Sequence, residues 1–218
     1  MKKIIVLLAM ALVVSIQFSL IVHANATLEE KESAALGHGV LGVRTLAGTG
    51  SHGAADGALV QFNLPFGVFA LADGSVLVAD SFNNLIRKIN ADGYGSLFAG
   101  RLLGIGADNF PQGAYHDDSS LYSFFYRPVG LAVNSDGWIF IADMHNHAVR
   151  VIVDGEVYTF AGGLGAGYAG GGTNAMFNRP SGITVCANGY VYVADTGNHA
   201  IRRISPGGYV TTAAGIGG

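Results

Sequence analysis

Short apolar runs alternate with polar or glycine-rich turns along most of the chain, a pattern typical of β-strands. The pattern also repeats, because three segments of 26 residues align without a gap. They are FNLPFGVFALADGSVLVADSFNNLIR (62–87), FYRPVGLAVNSDGWIFIADMHNHAVR (125–150) and FNRPSGITVCANGYVYVADTGNHAIR (177–202). Phe, Pro, Gly, Ala-Asp, Asn and Arg recur in register, so the segments are interpreted as copies of one structural unit.

The apolar positions of each unit predict four antiparallel strands. The first run follows the proline, and an Asp-Gly or Asn-Gly turn, which favours the positive φ angles of a tight hairpin, leads to the most apolar second run. A polar stretch starting at Asp leads to the third run, and another turn leads to a fourth run ending in Ala-Gly. We therefore predict blades over about 62–100, 125–162 and 177–215, preceded by an orphan fourth strand over 43–48, which contains RTLAG (44–48).

The proline–glycine–apolar run followed by Ala-Asp-x-x-Asn-x-x-apolar-Arg resembles the NHL repeat, and the resemblance covers roughly 44–215. It implies an all-β fold, a partial β-propeller of four-stranded antiparallel blades. Propellers of this family usually have six blades, whereas three blades leave two ends without a neighbour. The resemblance therefore implies either a chain truncated from a six-bladed ring or a protomer that self-associates through its open blade edges.

Residues 1–26 are predicted to be a signal peptide and not part of the fold. A cationic start is followed by the apolar run 4–22 and by Ala24-Asn25-Ala26, the small-x-small pattern of a cleavage site. A retained membrane anchor is the alternative, because the apolar run approaches spanning length. Both interpretations predict a secreted, periplasmic or other extracytoplasmic protein, in which 27–42 is a linker.

Composition excludes several classes of function. The 12 Lys and Arg residues against 15 Asp and Glu residues give a net charge of −3, which argues against nucleic acid. The single cysteine, Cys186, lies in an apolar run, so we predict a buried, inert thiol. The glycine-rich stretches lack the GK[ST] ending of a phosphate loop. We predict no cofactor, and no membrane contact beyond the signal peptide.

The Asp, Asn and Arg of the motif recur in every unit, whereas a catalytic or metal site is normally built once. Structural roles are therefore predicted: the carboxylate accepts N–H groups in the turn after strand two, and the arginine projects toward the adjacent blade to pair with an acid or a carbonyl. The positions concerned are Asp80, Asp143, Asp195, Arg87, Arg150 and Arg202.

Residues that the repeat does not explain are the candidates for ligand binding. His145 stands where the other units have Phe82 and Gly197, and the loop after Gly100 is about ten residues longer than its counterparts. In a propeller these loops emerge on one face, where function is usually carried. No calcium-loop or zinc-type spacing is found, so no metal is assigned. The predicted face carries His145, Arg101, Asp108, Tyr115, His116, Asp117 and Asp118.

The leading hypothesis is a secreted scaffold, not an enzyme, that binds a protein or a small extracellular ligand on this loop face. The resemblance also implies an alternative, a propeller enzyme of the metal-dependent lyase or hydrolase kind, whose His or acidic metal ligands surround a central channel. A matching set of ligands is not found in this sequence. A third hypothesis is a fragment of a longer protein that has no function of its own.

Overall fold

The computed structural model describes residues 43–107 and 109–217. The chain divides into two compact units, and the second, Leu46–Gly218, contains all the strands given below. The predicted signal peptide (1–26) and linker (27–42) lie outside the described residues. Within the described ranges, no helix has the length and apolar character needed to cross a membrane.

Three four-stranded antiparallel sheets, each with its strands in chain order, form three blades and confirm the predicted fold class. Blade one contains β1 (Val68–Ala70), β2 (Val76–Asp80), β3 (Leu85–Ile89) and β4 (Gly95–Ala99). Blade two contains β5 (Pro128–Val133), β6 (Ile139–Asp143), β7 (Ala148–Val153) and β8 (Glu156–Gly162). Blade three contains β9 (Pro180–Val185), β10 (Val191–Asp195), β11 (Ala200–Ile204) and β12 (Val210–Ala214).

The blades stack face to face, because alternate residues of a strand point to opposite sides of its sheet. In β6, Ile141 packs in the core shared with blade one, whereas Phe140 packs in the core shared with blade three. Both side chains are buried, and each such burial contributes roughly 1.5–3 kcal/mol. Blade two is therefore covered on both faces.

The turn between the first two strands differs in detail from the expected hairpin. Positive φ falls on the glycine alone, at 81° in Gly74, 82° in Gly137 and 80° in Gly189, and the preceding Asp or Asn keeps a negative φ. The connection is thus longer than a two-residue turn: in blade one, Leu71 N donates to Ser75 O and Gly74 N to Leu71 O. The Gly is required because a Cβ would strain this conformation.

The polar stretch after the second strand forms one turn of 3₁₀ helix, and a left-handed residue ends that turn in each blade. Asn84, His147 and His199 take this position, with φ of 57°, 53° and 51°. Asn and His are among the few residue types enriched there. The left-handed conformation therefore explains why this position of the repeat is Asn in one blade and His in the other two.

The orphan strand predicted over 43–48 is not formed, since these residues are described and belong to no strand. A fourth strand needs the third strand of its own blade as a partner, and the described chain holds none before blade one. Ala47 instead packs with Phe62 against the core residues Val60, Val78 and Ile89.

The prediction of a buried thiol is wrong, because Cys186 is exposed. It follows the last residue of β9 and opens the turn to β10, where its N–H donates to Tyr190 O and its carbonyl accepts from Gly189 N. The apolar run ends one residue earlier than the sequence suggested.

Candidate functional site

The Asp, Asn and Arg of the motif form a buried hydrogen-bond network in blade two. Asp143 Oδ1 accepts the backbone N–H of Tyr126 at 2.8 Å. Its Oδ2 accepts from Asn146 Nδ2 at 2.8 Å and from Arg150 Nη1 at 3.0 Å. The aspartate and the arginine are both fully buried, so their charges face each other away from water.

Blades one and three contain the same network. Asp80 Oδ1 accepts from Asn63 N at 2.7 Å, and Asp195 Oδ1 accepts from Asn178 N at 2.7 Å. The Arg Nη1 to Asp Oδ2 distances are 3.1 Å for Arg87 and 2.9 Å for Arg202.

Two details of the predicted structural roles change. The carboxylate makes no hydrogen bond to cap the 3₁₀ turn that follows it, and holds instead the segment entering its own blade, 17 residues earlier. The arginine turns back to its own blade and to the loop before it: Arg87 donates to Gln61 O at 3.1 Å and to Ala55 O at 2.9 Å. The network thus fastens each loop to the blade that follows it.

Burial raises the pKa of Asp80 and raises that of Asp143 to about 6. The hydrogen bonds from Asn63 and from Asn83 oppose this effect in blade one, and the charge of Arg150 opposes it in blade two. The donors therefore offset part of the cost of a buried carboxylate, which is what a structural ion pair requires.

Asp117, predicted to bind ligand, is the second acid of the blade-two network. Arg150 donates to it from Nε at 3.0 Å and also from Nη2, and Thr159 N donates to its Oδ2 at 2.9 Å. In blade one, Asp56 makes the corresponding ion pair with Arg87. Each of these arginines therefore lies between two carboxylates.

Blade three lacks the second acid. Arg202 Nη2 donates to Ala169 O at 2.7 Å, as Arg150 Nη2 does to His116 O, so Gly170 occupies the position of Asp117. Arg202 Nε has no hydrogen-bond partner among the described residues. Within residues 43–107 and 109–217, Arg202 thus forms an ion pair with Asp195 alone.

Tyr115 is also part of a repeated contact. Its ring centroid lies 4.9 Å from Arg150 Cζ, and its hydroxyl lies 2.5 Å from Thr159 Oγ1. In blade three, Tyr168 stacks on the arginine at 4.6 Å and bonds to Thr212 Oγ1 at 2.6 Å. The equivalence is hidden in the sequence because the two loops differ by one residue between this tyrosine and the motif phenylalanine.

The other candidates on the long loop make exposed contacts. His116 Nε2 lies 3.3 Å from Asp118 Oδ2, and both side chains are exposed. Arg101 Cζ lies 5.8 Å from the centre of the Tyr122 ring. Asp108 lies outside the described residues.

His145 lies behind Tyr126, which lines an open pocket of about 510 Å³. Its ring packs edge-on against Tyr126 with centroids 4.8 Å apart, and its N–H donates to Tyr126 O at 2.9 Å. Burial lowers the pKa of His145, and the charges of Arg127, Arg179 and His147 lower it further, so the ring is neutral at pH 7. The pocket is lined by Gly106, Ala107, Pro111, Gln112, Gly113 and Tyr126.

Sequence reasoning missed Tyr126, although a signal was present: blades one and three have Asn63 and Asn178 at this position of the repeat. No hydrogen bond, ion pair or ring contact within the described ranges joins His145 to Tyr115, His116, Asp117 or Asp118. The structure therefore separates the predicted face into a network part, an exposed part and the pocket.

Groups of three or more His, Cys, Asp or Glu able to hold a metal ion are not found among residues 43–107 and 109–217.

Comparison with known proteins places the fold in context. The family model of the NHL repeat matches residues 125–152 and 177–204, which are the motif segments of blades two and three. Protein SUPPRESSOR OF QUENCHING 1, chloroplastic, of Arabidopsis thaliana is 31% identical over 134 residues, 58% of this chain and 12% of that protein. NHL repeat-containing protein 2 of Gallus gallus is 41% identical over 80 residues, 35% of this chain and 11% of that protein.

Among solved structures, a structural genomics protein of unknown function from Bacteroides thetaiotaomicron matches with a TM-score of 0.53 and 26% identity. The match covers 64% of this chain and 34% of that one. The chain thus spans about a tenth of the two relatives and about a third of this structure. With its repeated motif and its blades of four antiparallel strands, the chain carries NHL repeats over residues 125–152 and 177–204.

Proposed function

We propose that this chain is an exported binding module that holds an extracellular ligand in the pocket beside Tyr126 and His145. The observation that supports the proposal is that the polar side chains of the repeat and the residues of the pocket have different roles. Those of the repeat bind one another inside the blades, whereas the pocket is built by residues at which blade two departs from the repeat. Residues on irregular loops that a rigid scaffold positions are typical of binding sites.

The pocket favours an uncharged polar ligand with an apolar face, such as a saccharide ring. Tyr126 offers a half-buried aromatic surface, and the Gln112 amide can donate and accept hydrogen bonds. His145 is neutral at pH 7, so the pair presents no charge there that would require an ionic partner. Export rests on the predicted signal peptide.

The first test alters the pocket by a substitution in the long loop, outside the strands of the blades. Gly113 packs so closely on the Tyr126 ring that a Cβ would overlap it, whereas a Cβ on Gly104 meets nothing within 4 Å. We expect Gly113→Ala to displace Tyr126 and to weaken binding at least tenfold, and Gly104→Ala to leave binding unchanged. Ligand-observed NMR against a panel of neutral mono- and disaccharides measures this for the wild type and both variants.

A second variant takes its residue from the chain's own repeat. Blade one has Phe82 at the position of His145, so His145→Phe keeps a side chain that the turn accepts. We expect an unchanged melting temperature and a loss of saccharide signals. Equal signals from the wild type, Gly113→Ala and His145→Phe, or none from the wild type, would contradict the proposal.

A further inference from the structure

Neighbouring blades are joined by the same side-chain hydrogen bond at both junctions in the chain. Asn84 Oδ1, from blade one, accepts the backbone N–H of Arg127 at 2.8 Å. His147 Nδ1, from blade two, accepts the backbone N–H of Arg179 at 3.1 Å. The acceptor is the left-handed residue after the 3₁₀ turn, and the donor is the residue before the proline of the next blade.

A glycine in the first part of each blade brings the two backbones close together. A Cβ on Gly67 would overlap Val129 O of blade two, and a Cβ on Gly130 would overlap Ser181 O of blade three. These junctions therefore require glycine because a backbone carbonyl of the next blade fills the space of a side chain.

The glycine of the Ala-Gly pair lies against its own blade as well as against the next one, since the atoms nearest to a Cβ are Asn84 O, at 2.9 Å from Gly100, and His147 O, at 2.6 Å from Gly162. A Cβ on Gly100 would lie 3.1 Å from Phe125, and one on Gly162 would lie 2.8 Å from Phe177. In both cases the phenylalanine opens the motif of the next blade. Each junction thus has an accepting half, on the earlier blade, and a donating half, on the later blade.

Blade three exposes a complete accepting half. His199 has the left-handed conformation of Asn84 and His147, and it is exposed. A Cβ on Gly182 would meet only Ala194 Cβ, at 3.7 Å. Ile201 is 41% exposed, whereas Ile86, its equivalent in blade one, is 0% exposed.

Blade one exposes the matching donating half. Leu64 precedes the proline with φ 46°, close to the values of Arg127 and Arg179, and its side chain is exposed. Phe66 is 65% exposed and Val68 is 67% exposed, whereas their blade-two equivalents are buried. The two open ends of one chain therefore carry the two halves of a junction that the same chain forms twice.

We propose that blade three of one copy docks on blade one of a second copy, head to tail, through this same junction. The occupant is a second copy because blade one presents a donor N–H before its proline and exposed apolar side chains at the positions that form the junctions inside the chain. Such a contact is heterologous, and a closed pair forms when each copy makes it to the other.

Two variants block opposite halves. Gly182→Val fills the space that a carbonyl needs on blade three, and the single chain tolerates it because only Ala194 lies nearby. Phe66→Asp places a charge on the exposed patch of blade one. We expect the wild type to sediment as a dimer in the micromolar range and each variant alone as a monomer. Gly104→Val, in open space on the long loop, serves as the control that remains dimeric.

Mixing the variants tests the head-to-tail arrangement. Gly182→Val retains blade one and Phe66→Asp retains blade three, so one intact junction forms between them and the mixture contains heterodimers. A monomeric wild type, a dimeric Gly182→Val or a mixture that stays monomeric would overturn the proposal. Because neither substitution lies in the pocket of Tyr126 and His145, the outcome is independent of saccharide binding.

Discussion

At the scale of single residues, the network shows how one motif can serve two purposes in folding. The aspartate fixes the segment that enters the blade, and the arginine fixes the loop before it. A buried ion pair is not by itself a source of stability, but the loss of one partner leaves the other charge buried without compensation. The blades differ in whether the arginine keeps a charged partner when the aspartate is removed. Arg150 has a second acid, and Arg202 has none among the described residues.

This difference predicts unequal costs for two equivalent substitutions. Asp195→Ala leaves Arg202 without an acid, so we expect a loss of about 3–5 kcal/mol in the free energy of unfolding. Asp143→Ala removes the same hydrogen bonds but leaves Arg150 paired with Asp117, so its loss is smaller. Urea denaturation of both variants measures the difference, and equal losses would contradict the role of the second acid.

At the scale of structural elements, the short turn after the second strand decides how one blade meets the next. The left-handed residue that ends the turn points its side chain at the following blade, where it must act as a hydrogen-bond acceptor. Asn does so at any pH, whereas His can do so only while Nδ1 is unprotonated. The two junctions within the chain therefore differ in their response to acid.

The junction of blades two and three should weaken at low pH. Burial lowers the pKa of His147 from its ordinary value of 6.5, Arg179 lowers it further, and Asp195 has the opposite effect. The unfolded chain then takes up a proton at a higher pH than the folded chain. The contribution of His147 to stability is complete above pH 6.5 and falls as the pH drops from there toward the lowered pKa.

The variant His147→Asn tests this, because Asn84 makes the same contact in blade one. Its melting temperature should match that of the wild type above pH 7 and exceed it increasingly as the pH falls below 6.5. Both proteins carry His145→Phe in this comparison, because the charge of His147 contributes to the lowered pKa of His145. A difference that does not change with pH would refute the role assigned to His147.

At the scale of the whole molecule, the three blades follow one another, and each buried core lies between two neighbouring blades. The core between blades one and two and the core between blades two and three share no buried residue. Stability in such an array is close to a sum of unit and junction terms. Opening one junction should therefore leave the other intact.

Hydrogen exchange measured by mass spectrometry can show whether one junction opens while the other stays intact. Gly67→Val forces blade one away from Val129 O, so we expect faster exchange in β1–β4 and little change in β9–β12. Gly130→Val acts on Ser181 O and should give faster exchange in β9–β12 with β1–β4 less affected. Uniformly faster exchange in both variants would show that the stack unfolds as one unit.

The sequence by itself determined the three blades, their strand order and the positions of the Asp, Asn and Arg of each repeat. Apolar alternation and glycine turns act over a few residues, and three copies in register make the pattern unmistakable. The exposed Cys186 and the strand not formed at 43–48 mark the limit of this reasoning, since a run's end and a missing partner strand are not local properties.

Only the tertiary structure decided which polar residues face one another. Asp117 and Tyr115 looked like loop residues free to bind a ligand, yet they hold Arg150, because loops of unequal length bring equivalent atoms to the same place. The converse holds for Tyr126, which occupies a repeat position but lines the pocket with His145 beside it. Strand register is encoded locally by a period of two, whereas the partner of a loop side chain depends on the packing of the whole stack.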